Sequence, residues 1–158
     1  NANNSTYDKY LKVPGYDGVL ASKGAPTISD FCRIFVEEAN AEGVKAEVAF
    51  CQAMLETGFL QYGGDVKPDQ CNFAGLGATG GGEQGNRFET VREGIRAQIQ
   101  HLKCYASTDP LNNPCVDQRW WNALRGTAPT VEQLSLKWAS SSQYGERILG
   151  LIKQLKKY

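Results

Sequence analysis

Histidine and methionine each occur once in this 158-residue chain, as His101 and Met54, and no Cys-x-x-Cys pair is present. A zinc site needs several imidazole or thiolate ligands at fixed spacing, so none is expected, and nothing calls for another metal or cofactor. Net charge is missing as well: 17 lysines and arginines balance 17 aspartates and glutamates. That balance offers no basic face for nucleic acid, and like charge gathers only at Lys153, Lys156 and Lys157. Apolar runs fall far short of the roughly 20 residues a membrane-spanning helix requires. Internal repeats and low-complexity tracts are absent too. Asn1 to Thr6 is polar and unlike a signal sequence. We therefore expect either a leader already removed or a domain of a longer, multidomain protein, and a monomer in either case.

Five cysteines (Cys32, Cys51, Cys71, Cys104 and Cys115) leave at least one thiol unpaired. Two readings stay open: one or two disulfides in a secreted protein, or small buried hydrophobes. Cys32 and Cys51 fit the second, since both fall on apolar helical faces.

What is there suits a single domain, able to bury about two thirds of its unfolded surface. Residues 1–26 lack a period and carry Pro14, Gly15, Gly18 and Gly24. They read as an arm packed on the domain through Tyr7, Tyr10, Leu11 and Tyr16, and residues 27–158 read as one globular domain. Thr27, with Asp30 three residues on, starts a helix whose stripe is Ile28, Phe31, Ile34, Phe35 and Ala39 and which Gly43 ends. A second helix runs from about Lys45 to Glu56 on a core stripe of Val48, Cys51, Met54 and Leu55. Its adjacent face, Ala49, Gln52, Ala53 and Glu56, is small and polar and is expected to line a cleft. Residues 57–89 hold much glycine and no helical period. Loops are expected there, with a short hairpin around 82–88; so long an irregular stretch in a compact domain is more often functional than idle.

Thr90-Val91-Arg92-Glu93 is a capping box that opens a helix to about Ser107. Val116 to Leu124 reads as a short helix carrying Trp120 and Trp121. Thr130-Val131-Glu132-Gln133 is another capping box, opening a helix to about Trp138. A last helix from about Tyr144 carries Ile148, Leu151, Ile152 and Leu155. Trp138 is expected in the core and His101 at the surface. The fold class is mainly α.

Glu56 is the residue of chemical interest. A carboxylate at a helix C-terminus meets the negative end of the dipole, and Met54, Leu55 and Phe59 add apolar surroundings. Both effects raise its pKa, as a general acid near neutral pH requires. An exposed glutamate in a last turn has the same local pattern, so pattern alone leaves both readings open.

Gln52-Ala53-Met54-Leu55-Glu56-Thr57-Gly58 resembles the Q-A-x-L-E-(S/T)-G signature of bacterial peptidoglycan β-N-acetylglucosaminidases, a family with a lysozyme-like fold. Three further segments are similar to that family in the same order: Asn72-Phe73-Ala74-Gly75-Leu76, the run from Phe88 to Ile95, and Tyr144-Gly145-Glu146-Arg147-Ile148. The resemblance spans about Thr27 to Leu155. It implies an α+β lysozyme-like domain in which a helical body and a short irregular or β-hairpin lobe flank a substrate cleft. It also implies cleavage of the β-1,4 bond after N-acetylglucosamine, with Glu56 as general acid.

The family's second carboxylate lies on a hairpin. Glu83 is the candidate here, ahead of Asp65, Asp69 and Glu89, although Gly80 to Gly85 is short for that hairpin. Either an inverting route or one assisted by the substrate's own acetamide fits a second group of this kind. Gln52, Asn72, Phe73, Tyr144 and Trp120 are the candidate substrate-binding residues. The expected partner is the peptidoglycan glycan strand, and the expected location is secreted, at the cell wall, or phage-associated. A muramidase or a lytic transglycosylase on the same scaffold is the near alternative. A non-catalytic glycan-binding module is the alternative from another class. A cysteine–histidine amidase is disfavoured, because Cys51 and His101 both lie inside helices.

Overall fold

The structure is a computed structural model that describes residues 19–62, 64, 66–78 and 82–157. The arm's proposed anchors, Asp65, and Gly80 and Gly81 lie outside the described residues. Among the described residues five α-helices form the body: α1 (Val19–Ser22), α2 (Ile28–Glu42), α3 (Ala46–Thr57), α4 (Val91–Ala106) and α5 (Tyr144–Leu155). Three 3-10 turns, Pro68–Gln70, Asn122–Leu124 and Glu132–Leu134, punctuate the connections. The domain is mainly α, and its only β feature among the described residues is an isolated bridge between Ser135 and Ala139.

The caps explain the boundaries. The Thr27 side chain accepts from the Asp30 N–H while Asp30 accepts from the Thr27 N–H, a reciprocal box that satisfies two orphan donors. Gly43, at φ 72°, closes the same helix in the left-handed region that glycine enters freely. At α4 the box is half made: Thr90 accepts from the Glu93 N–H, but Glu93 turns to the backbone of Glu89.

Packing follows from the stripes. Phe31, Phe35, Phe50 and Phe73 meet edge-on, with centroids 5.1, 5.2 and 5.8 Å apart. Each buried ring of this kind stabilises the fold by about 1.5–3 kcal/mol. Helices α2 and α4 are also joined by charge. Arg92 and Arg96 hold the buried Glu38, and Lys103 reaches the buried Glu42 at 3.0 Å. Desolvation alone would raise the Glu42 pKa, but hydrogen bonds from the Asn112 and Asn113 amides together with Lys103 outweigh it and hold the pKa down.

Helix α3 is enclosed rather than amphipathic. Its expected cleft-lining face is core instead: Ala49, Gln52 and Ala53 are all buried. The two alanines let α4 and α5 approach closely, and only Glu56, at the end, reaches open space. The expected hairpin over 82–88 is absent, since no strand forms there among the described residues. Side-chain amides take the place of a ladder: Gln70 Nε2 donates to the Gln84 and Asn86 carbonyls, and Asn72 Nδ2 also donates to Asn86. Cys32, Cys51, Cys71 and Cys104 are buried and Cys115 is exposed, and no disulfide joins any of them among the described residues.

Candidate active site

Helix α3 delivers Glu56 to the surface through a tightly specified exit. Gly58, at φ 58°, gives its N–H to Leu55 O, and the Phe59 N–H reaches Met54 O at 2.8 Å. This is a Schellman closure. The Thr57 hydroxyl donates to Ala53 O at 2.7 Å and accepts from the Leu60 N–H at 3.0 Å, tying the departing chain to the helix it has left. Phe59 and Leu60 continue in the left-handed region at φ 59° and 61°. That conformation costs a residue with a Cβ about 1–2 kcal/mol, and the buried Leu60 helps to offset it.

Opposite stands the turn Asn72–Gly77. Asn72 closes it from within: Oδ1 accepts from the Leu76 N–H at 3.0 Å and Nδ2 donates to Leu76 O at 2.8 Å. Gly75 faces the acid with φ 68°, and a Cβ added there would lie 3.2 Å from Glu56 Oε2. Glycine is required twice over, for conformation and for room.

The third wall is α5. The Tyr144 hydroxyl donates to Glu56 Oε1 at 2.6 Å and accepts from Gln52 Nε2 at 3.0 Å. Gln52 Oε1 in turn accepts from Gln98 Nε2 at 2.9 Å, and the same Gln98 amide donates to Ala49 O. A relay of four side chains thus crosses α4, α3 and α5 and ends on the carboxyl. The Glu56 side chain is open to the cleft in front and crowded by protein around it. Desolvation pushes its pKa above the ordinary carboxylate range, against the Tyr144 hydrogen bond, which favours the ionised form. Burial, and then the neighbouring carboxylate, push the Tyr144 phenol up, so it is a firm donor.

Glu56 lies in a cleft of about 610 Å³, with Tyr62, Asn72, Gly75 and Trp138 among its walls. Trp138 is fixed by its Nε1–H, which donates to Ala74 O at 3.1 Å. It is half-buried, packing against the core with one part and forming a cleft wall with another. The other expected positions divide. Tyr144 touches the acid. Gln52 is buried behind Tyr144 and positions it, with no face toward the cleft. Asn72 borders the cleft, but its amide is occupied by the turn.

Phe73 does not reach the cleft: it is buried against Phe31, because the turn directs it inward. Trp120 lies in a different pocket, with the Arg125 guanidinium 4.4 Å over its ring. Glu83 is exposed and does not border the cleft, Asp69 is paired with Arg87, and Glu89 is exposed. Among the described residues, no second carboxylate lines the cleft with Glu56. His101 is buried, not on the surface. Its Nδ1 is 2.7 Å from Asp117 Oδ2, and its ring meets Tyr105 and Trp138 edge-on.

Residues 32–157 match a family described as glucosaminidase, mannosyl-glycoprotein endo-beta-N-acetylglucosaminidase. An uncharacterized protein of Borreliella burgdorferi is 37% identical over 131 residues, covering 83% of this chain and 64% of that protein. The chain therefore spans under two thirds of that relative's length. No solved structure matches.

Proposed function

The chain belongs to the glucosaminidase family, and on that premise we propose that it is a peptidoglycan hydrolase acting after N-acetylglucosamine, with Glu56 as general acid. The observation that carries the reading is the carboxyl of Glu56: at the open end of a buried helix, with a raised pKa and one oxygen held by Tyr144. A raised pKa lets such a group keep its proton to higher pH than an ordinary carboxyl does. It gives that proton to the glycosidic oxygen as the bond from that oxygen to the anomeric carbon breaks, and the leaving sugar departs as a neutral alcohol.

The cation-like charge left on the ring needs an electron pair. On the assisted route the substrate's own acetamide oxygen supplies it. It attacks the anomeric carbon, and water then opens the ring so formed, with Glu56 now acting as base. An inverting route needs a base about 6.5–9.5 Å from the acid to activate water directly. The expected product of the assisted route retains the anomeric configuration, which proton NMR of fresh product reads; inversion would exclude it. Gly75 and Trp138 supply close backbone approach and an apolar wall for a sugar face. We place the activity at a cell wall, either secreted there or carried by a phage.

Wall digestion followed by borohydride reduction and mass spectrometry tests the bond. N-acetylglucosaminitol ends are expected. N-acetylmuramitol ends would make the protein a muramidase, and anhydro-muramic ends a lytic transglycosylase. Glu56→Gln is expected to lower the rate by about 10²–10⁴-fold, the range for a lost general acid. An unchanged rate would overturn the role, and a wild-type protein that binds wall without cutting it would be a binding module.

A further inference from the structure

A second pocket, of about 410 Å³, opens between Gln118, Arg119, Trp120, Trp121 and the ring of His101. Its lining loop has little regular structure, yet it is tightly held. Gln100 accepts from the Val116 and Asp117 N–H groups and donates to Pro114 O. The buried Asp117 accepts from the Arg119 N–H at 2.8 Å while its other oxygen faces His101. A loop braced by two buried side chains holds its exposed residues in place.

Those exposed residues are unusual for a surface. Trp121 is 63% exposed, the largest apolar side chain so displayed among the described residues. Its indole takes part in no described ring contact. Trp120 beside it is covered on one face by Arg125, whose guanidinium is pinned to the Ser107 and Asp109 carbonyls. Arg119 forms no ion pair among the described residues, so its charge is available. The pocket thus joins aromatic surface to free positive charge. An indole face suits the C–H face of a pyranose, and a guanidinium takes a carboxylate in a paired geometry.

The pocket also adjoins the Glu56 cleft. His101 lines one and Trp138 lines the other, and the two rings touch with centroids 4.8 Å apart. One ring pair therefore links the walls of the two pockets. We propose that the Arg119–Trp121 pocket is an accessory saccharide site that takes a carboxylate-bearing sugar unit of the same glycan strand. The proposal rests on reading the Glu56 cleft as a glycan site.

The test uses the full chain carrying Glu56→Gln, so that nothing is cut. Indole N–H signals of the three tryptophans are followed by NMR during titration with muramyl dipeptide, a muramic sugar whose attached peptide carries one carboxylate, and with neutral triacetylchitotriose. The Trp121 signal is expected to move with muramyl dipeptide. Trp121→Ala should weaken that binding about three- to tenfold, the range of an aromatic pair contact. Arg119→Gln should weaken muramyl dipeptide about tenfold, as for a lost charged hydrogen bond, and leave the chitotriose affinity within twofold. Circular dichroism melts of both variants check that the fold is kept.

An unmoved Trp121 signal would overturn the proposal, as would equal effects of Arg119→Gln on the two ligands. Insensitivity of both ligands to both variants would do the same, and would point to Trp121 as a protein-docking residue. Failure of the proposed activity reads differently: the wild-type chain would release no N-acetylglucosaminitol, whatever the binding titrations give.

Discussion

Replacing Tyr144 with phenylalanine keeps the ring and removes the oxygen that bonds Glu56 and Gln52. Two effects of opposite character follow. The carboxylate form of Glu56 loses its donor, so its pKa, already raised by desolvation, rises further. A hydrogen bond to a charged group contributes about 1.5–3 kcal/mol, and because this carboxyl faces an open cleft the lower end applies. At about 1.4 kcal/mol per unit, the shift is about one pH unit upward. In the proposed role Glu56 acts in its protonated form, so the alkaline limb of the kcat/KM profile is expected to move to higher pH by that amount. Meanwhile the fully buried Gln52 amide is left with a donor unpaired, which lowers stability by about 1–3 kcal/mol. Wall-clearing rates across pH and urea unfolding at one pH measure the two separately. An alkaline limb that stays put or moves down would refute the assignment of Tyr144 as the donor that tunes the acid.

Three further outcomes are expected. Because the folded-state pKa of Glu56 is raised, the folded protein binds that proton more tightly than the unfolded chain does. Stability is then lost as pH climbs through the window from the unfolded value to the raised one. Glu56→Gln should therefore melt higher than the parent at neutral pH and equally with it in acid, and a neutral-pH melt below the parent would contradict this. Gly75→Ala places a Cβ at a positive φ and 3.2 Å from Glu56 Oε2. It should lower stability by about 1–2 kcal/mol in urea titration, with a loss of kcat larger than that loss of stability explains. A thiol-reactive chromophore should label Cys115 quickly in the native protein and the four buried thiols only after unfolding. Fewer than five labelled thiols in denaturant would show that a pair is oxidised.

Much of this was legible in the chain because the helices announce their own ends. Thr27 with Asp30, Gly43, Gly58 and Thr90 act within a few residues, and the boundaries of α2, α3 and α4 followed. Two expected helices, over Val116–Leu124 and Thr130–Trp138, shrank to 3-10 turns, and in the first a distant side chain intervened. Gln100, from α4, takes the Val116 and Asp117 N–H groups that a helix start would have left for its own cap.

The position of Glu56 at the end of α3 was legible from its motif; that Tyr144 meets its carboxyl is what the structure adds. The roles of Gln52 and Phe73 were not legible. Both lie beside site residues in sequence, and only the enclosure of α3 and the inward turn at Phe73 separate lining a cleft from supporting one. Gln98 and Trp138 carried no local sign, since each acquires its role from a partner 40 or more positions away.

The relay from Gln98 through Gln52 and Tyr144 to Glu56 has one further consequence. Its members ride on three helices, so it closes only when those helices keep their register. A slip of one against another too small to change a melting curve would still part a 2.6 Å contact at the carboxyl. The site therefore works as a gauge of its own scaffold. Among core variants of this protein, the pH profile of activity should register a disturbed bundle before calorimetry does.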